Sequence, residues 1–166
     1  MTVFAPALPS APLDVEQLMS DGPKDIYRDW DRALNMSRAP TGRWTELEAA
    51  LYNACMDAAQ ADWDGYGANA VSPPAAAYAH DLLALLPTAF PAPSVGVDAD
   101  GEVSIEWHGA PGSLFGISVS PSGELTYAGI YGGSRVRGRE PLGPQFPSSL
   151  LSQLQRLFDN GGDWRA

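Results

Sequence analysis

The sequence predicts a two-layer α+β domain, with two helices followed by a four-stranded antiparallel meander and a closing helix. Three observations predict it. Apolar residues recur at helical spacing between residues 46 and 86, the period drops to two between 94 and 131, and short Gly- and Pro-containing turns join the segments of that second stretch. Connections so short exclude parallel neighbours, which need crossovers of about a dozen residues.

Residues 1–43 mix Pro, Gly and Asp with short apolar runs and read as a loosely attached arm. Within it Ile26, Tyr27, Trp30, Ala33 and Leu34 share one helical stripe, predicting a short amphipathic helix over 23–35. That helix either packs back on the body or binds a partner. The body spans 44–160, with 161–166 as a tail. Thr45 and Glu48 fit a capping box, and Leu47, Ala50, Leu51, Ala54 and Ala58 follow on one face, predicting a helix over 46–60. Cys55 lies on or beside that stripe with no base or cation near it in sequence, so it reads as packing rather than as a nucleophile. A second helix starts at Ser72, before Pro73, where the missing N–H is tolerated, and it stops at Pro87. Strands follow over Ser94–Asp98, Glu102–His108, Leu114–Ser120 and Glu124–Tyr131. The last helix, over 149–159, sets Leu150, Leu151, Leu154, Leu157 and Phe158 on one side and ends at Asn160-Gly161.

Composition narrows the classes. The chain has 166 residues, 20 acids against 10 Lys and Arg, a formal net charge of −10 and an isoelectric point near 4.4. That is the size of one domain. A single cysteine excludes an intramolecular disulfide and a Cys-rich zinc site. Met1 to Pro12 carries no Lys or Arg and is broken by Pro6, Pro9 and Pro12, unlike a secretory leader. No apolar run approaches the roughly 20 residues of a membrane span. A soluble, cytosolic, acidic domain is expected.

The charges are unevenly placed. Between Arg43 and Arg135 there is no Lys or Arg, while the same stretch holds eleven Asp and Glu residues. Such a body repels phosphate backbones, so neither nucleic acid nor an anionic membrane is expected to bind it directly. It is either a solvated acidic surface or a recognition face for a basic partner. Arg135, Arg137 and Arg139 alternate, so an extended segment projects all three to one side. They form an exposed basic edge, an internal partner for the acids, or a patch for a carboxylate or phosphate.

Few catalytic chemistries fit. On strand 102–108, Glu102, Ser104, Glu106 and His108 share one face, opposite Val103, Ile105 and Trp107. Two carboxylates and an imidazole along one strand face, where successive positions are about 6–7 Å apart, suit a divalent metal or acid/base work, but equally the wet side of a sheet buried on one face. Asp62-Trp63-Asp64-Gly65 and Asp98-Ala99-Asp100-Gly101 open like calcium loops without the later ligands, and read instead as turns in which Asp accepts local N–H bonds. Gly65-Tyr66-Gly67-Ala68-Asn69-Ala70 fits a loose dinucleotide pattern but follows a helix, not a strand. No hydrolase, zinc-protease or P-loop motif occurs, His80 reads as a helix residue, and no cofactor is expected. Trp63 and Tyr66 either pin their Gly-rich loop to the core or anchor a partner.

The Trp63-Asp64-Gly65-Tyr66-Gly67-Ala68 loop, Pro91-Ala92-Pro93, the run Asp100-Gly101-Glu102-Val103-Ser104-Ile105-Glu106-Trp107 and a Tyr-Gly strand before a final helix resemble a group of small bacterial proteins. The resemblance covers about 60–160. It implies a bacterial or phage-related cytosolic module, and no functional residue is carried over from it.

The leading expectation is a non-enzymatic acidic binding protein that neutralises a basic, nucleic-acid-handling partner, in the manner of antitoxins, immunity proteins and anti-CRISPR inhibitors. Asp62, Trp63, Asp64, Tyr66, Glu102 and Glu106 are its expected contacts. Two alternatives stand beside it: a metal-assisted hydrolase using Glu102, Glu106 and His108, and a sensor of small anionic ligands using Arg135, Arg137 and Arg139.

Overall fold

A computed structural model describes residues 42–159; the helix expected over 23–35 and the tail 161–166 lie outside the described residues. The element order is α1 (Gly42–Asp57), α2 (Pro73–Leu85), β1 (Ser94–Val97), β2 (Val103–His108), β3 (Ser113–Val119), β4 (Glu124–Tyr131), β5 (Ser134–Pro141) and α3 (Ser148–Asp159). The five strands form one antiparallel sheet in sequence order, β1-β2-β3-β4-β5. The α+β class and the helix–helix–meander–helix order stand, but the meander has five strands rather than four.

The added strand carries Arg135, Arg137 and Arg139. Its core-side positions are Val136, Gly138 and Glu140, so it shows little of the apolar alternation that marks a strand. It forms because Gly132-Gly133 makes a two-residue hairpin, with Gly132 at φ 62° and Tyr131 paired with Ser134.

The first helix also differs from its expected bounds. Gly42, Arg43, Trp44 and Thr45 already lie within α1, where the capping box had placed the end of the arm and the helix start. The Trp44 ring meets His80 of α2 edge-on at 5.4 Å, a tertiary contact that outweighs the local capping pattern. At the other end α1 stops at Asp57, and the Ala58 carbonyl turns to accept the Val71 N–H at 2.8 Å. In α2, Pro73 occupies the first turn after Ser72, as expected, although the Ser72 side chain makes no cap bond.

One face of the sheet is buried beneath all three helices. Val103, Ile105 and Trp107 pair with Val119, Ile117 and Phe115, and the same face continues through Leu125, Tyr127 and Tyr131. Helix α1 lies against β1 and α2, α2 against β2 and β3, and α3 against β3 and β4. Phe115, 0% exposed, packs between Trp107 at 6.2 Å and Tyr127 at 6.0 Å. The Trp107 indole is satisfied by the Pro91 carbonyl at 3.0 Å. Among the described residues no helix is long and apolar enough to cross a membrane.

The opposite face carries no helix among the described residues. Ser104, Glu106 and His108 of β2 lie there, followed by Gly116 and Ser118 of β3, Thr126, Ala128 and Ile130 of β4, and the three arginines of β5.

Candidate functional site

The candidate site is a corner where the loop after α1 docks on the β1–β2 turn. Its local architecture follows from Asp and Gly chemistry. Asp62 has φ 64°, a left-handed conformation that Asp tolerates, and its N–H reaches back to the Ala68 carbonyl at 2.7 Å. The Asp62 carboxylate accepts the Gly67 N–H at 2.8 Å. Asp64 accepts two more, from Tyr66 at 2.8 Å and Ala68 at 3.2 Å. Trp63 donates its indole N–H to the Asn69 carbonyl at 3.0 Å. Thus the N–H groups of Tyr66, Gly67 and Ala68 are all engaged inside the loop.

The docking onto the turn is equally specific. Asn69 donates its backbone N–H to Ala99 and its side-chain amide to Asp100, and Ser72 donates to Gly101. A Cβ on Gly101 would lie 2.5 Å from the Ala70 carbonyl oxygen, and its φ of 88° is itself a conformation side chains disfavour. Only glycine permits this approach. Asp100 accepts the N–H of Glu102 at 3.0 Å, so both Asp-Gly segments are the Asx-type turns expected, not calcium loops.

Tyr66 stands at the loop tip, 93% exposed. Trp63, 38% exposed, is by contrast pinned by its hydrogen bond. The corner therefore gathers Asp62, Trp63, Asp64 and Tyr66 beside Asp100 and the start of β2. The Ser118 hydroxyl sits between Glu102 at 2.6 Å and Asp98 at 3.2 Å. One hydroxyl proton serves one acceptor at a time, and the shorter contact is to Glu102. Glu106 is not part of the corner: four residues along β2, it lies about 13 Å from Glu102 by strand rise and instead faces His108 at 3.9 Å.

The chain matches no family model, no curated protein and no solved structure. The geometry alone carries the functional reading.

That geometry weakens the metal alternative. Glu102 is turned to Ser118, while partly buried Glu106 and exposed His108 stand apart from it. Among the described residues no three His, Cys, Asp or Glu side chains converge as a metal site would need. The three arginines do share one side of β5, as their alternation implies. Arg139 pairs with Glu124 at 3.3 Å, and Arg135 and Arg137 have no ion-pair partner among the described residues.

Cys55 is buried in the core, and loss of hydration pushes its thiol up from an ordinary value of 9.0 to about 12. Tyr131 rises in the same direction, from 10.0 to about 12, through desolvation opposed by the charge of Arg156, which lies over its ring at 4.5 Å. The fold favours the protonated form of both groups. Their stabilisation is therefore complete below pH 9.0 and is lost as pH climbs towards 12. Urea titrations across this window will show falling stability, with a shallower fall in Cys55→Ala. At pH 8 the native thiol will resist a disulfide reagent that labels the unfolded chain at once. Rapid labelling of the native protein contradicts the packing role.

Proposed function

We propose that the chain is a non-enzymatic binding protein whose acidic corner engages a basic partner, of the kind that handles nucleic acid, and restrains it as an antitoxin or inhibitor does. The observation that carries this reading is Tyr66, 93% exposed on a loop whose own N–H groups are already engaged. A monomer has no folding reason to hold a large aromatic so far into water on so constrained a loop. An aromatic fixed before binding loses little freedom on docking, which is what makes such residues interface anchors.

The surroundings give the anchor its charge preference. Asp62, Asp64, Asp98, Asp100 and Glu102 lie on or beside the corner, in a stretch of sequence without a Lys or Arg. A lysine- or arginine-bearing surface would meet complementary potential around a central aromatic contact.

Capture from the native host, with the full-length chain as bait at low and at high salt, tests the proposal. A partner of basic isoelectric point is expected at low salt and is released at high salt. Recovery of no partner, or of one indifferent to salt, counts against it.

A further inference from the structure

We infer that the free edge of β5 takes up an extended acidic segment of a second protein as an added strand, at a site separate from the acidic corner. Strand β5 ends the sheet order, and Tyr131 and Ser134 close its two-residue hairpin with β4. The closing pair of such a hairpin exchanges backbone bonds, and in an antiparallel ladder every second pair does so: Gly129 with Val136, Tyr127 with Gly138, Leu125 with Glu140. The Leu142 N–H, donating to the Gly123 carbonyl at 2.8 Å, keeps that rhythm beyond the strand. The main-chain groups of Arg135, Arg137 and Arg139 therefore point away from β4, and among the described residues no strand lies beyond them. Pro141, next in the outward series, has no N–H and ends it.

The charges along this edge select the occupant. Arg135, Arg137 and Arg139 are exposed on the open face, directly beside the side chains an added strand would place there. Of the acids on that face, Glu124 is taken by Arg139 at 3.3 Å. Asp98, Glu102 and Glu106 stand at β1 and β2, at least three strand spacings or about 14 Å from β5, which is beyond a screening length of about 8 Å at physiological salt. Glu140 is on the other face, where it accepts the Ser149 hydroxyl. Arg135 and Arg137 are left without an ion-pair partner among the described residues.

The occupant alternates in character. Its acidic side chains fall beside the arginines, and the residues between them fall on the core side, next to Val136, partly buried at the rim of the core, and Gly138, which has no side chain to obstruct them. A strand reading acid, apolar, acid, apolar satisfies both faces at once, while main-chain bonds to the outward N–H and C=O groups hold it in place. The same arginines turn other occupants away. Antiparallel pairing of two β5 strands sets arginine beside arginine on one side, and a basic strand meets the same repulsion.

Hydrogen exchange of the full-length chain, followed residue by residue by NMR, tests the inference with a synthetic peptide of alternating Glu and Val as the probe. The peptide is expected to slow exchange at Arg135, Arg137 and Arg139 by at least about tenfold and to leave Val136 and Gly138, already bonded to β4, unchanged. Arg137→Glu is an exposed change, so circular dichroism will match the parent. It trades an attraction for a repulsion, weakens binding of the peptide about tenfold, and lets a Lys–Val peptide bind instead. A Glu–Val peptide with alternate backbone nitrogens methylated keeps its charge, loses its strand bonds and will not bind. Tyr66→Ala will bind the Glu–Val peptide as the parent does, so this edge and the acidic corner fail separately. Slow exchange at the three arginines before any peptide is added assigns the edge to the chain's own residues and overturns the inference. Equal binding of the methylated peptide, an Arg137→Glu variant that binds like the parent, or protection by a thymidine oligonucleotide but not by the peptide overturns it as well.

Discussion

Changing Tyr66 to Ala will weaken capture of the basic partner by at least about 30-fold, or about 2 kcal/mol, while leaving the melting temperature unchanged. The two halves of this expectation have separate causes. Tyr66 is 93% exposed, so its truncation removes almost no packing, and surface changes of this sort alter stability by about 0.5 kcal/mol or less. The backbone that presents it stays in place, because the bonds to Asp62 and Asp64 use the main-chain N–H groups of residues 66–68 rather than the tyrosine ring. Whatever affinity is lost is therefore the ring's own contact. Comparing the dissociation constants of parent and variant, with thermal melts of both, checks it. Equal affinities would show that the exposed ring is not an anchor.

Changing Phe115 to Ala will cost about 3–5 kcal/mol of folding free energy. Phe115 lies on the central strand β3, fully buried, with Trp107 and Tyr127 on neighbouring strands against its ring. Both neighbours are held and cannot readily collapse into the space. The Trp107 indole is tied to Pro91, and Tyr127 lies over Gly138 of β5. The vacated volume therefore remains largely as a cavity, and the lost stability is a large share of the roughly 5–15 kcal/mol that holds a domain of this size. Urea unfolding will show a lower midpoint with an unchanged slope. A midpoint near that of the parent would contradict the assignment of this residue to the centre of the core.

Much of the fold is legible from local chemistry. The pair Ser72-Pro73 and the stop at Pro87 mark α2 because they act on the backbone directly. The alternation of Val103, Ile105 and Trp107 marks β2 because one side of the sheet is buried and the other is wet. Strand β5 is hidden by its composition, since Val136 is its one apolar core-side residue; the available signal was Gly132-Gly133, a hairpin dipeptide. The start of α1 is hidden for another reason: the contact of Trp44 with His80 joins two helices, and no capping pattern encodes it.

The site divides along the same line. That Asp62, Asp64 and Asp100 would accept nearby N–H bonds is turn chemistry, readable from Asp-x-Asp-Gly. That the loop would dock on the β1–β2 turn is not, because Asn69 and Asp100 meet across 31 positions of sequence. Glu106, expected as a contact together with the loop acids, stands beside His108 on the open face, as the alternation of β2 implies, and its distance from the loop is set by the tertiary docking.

The central claim is that a negative corner, fixed before encounter, is met by something positive. The rate at which the captured partner associates with the full-length chain, measured at about 50 mM and about 500 mM salt, addresses it most directly. The association rate is expected to fall by about tenfold or more with added salt while the dissociation rate changes little, since steering acts on the encounter and the tyrosine contact on the bound state. An association rate that does not change with salt would contradict the account.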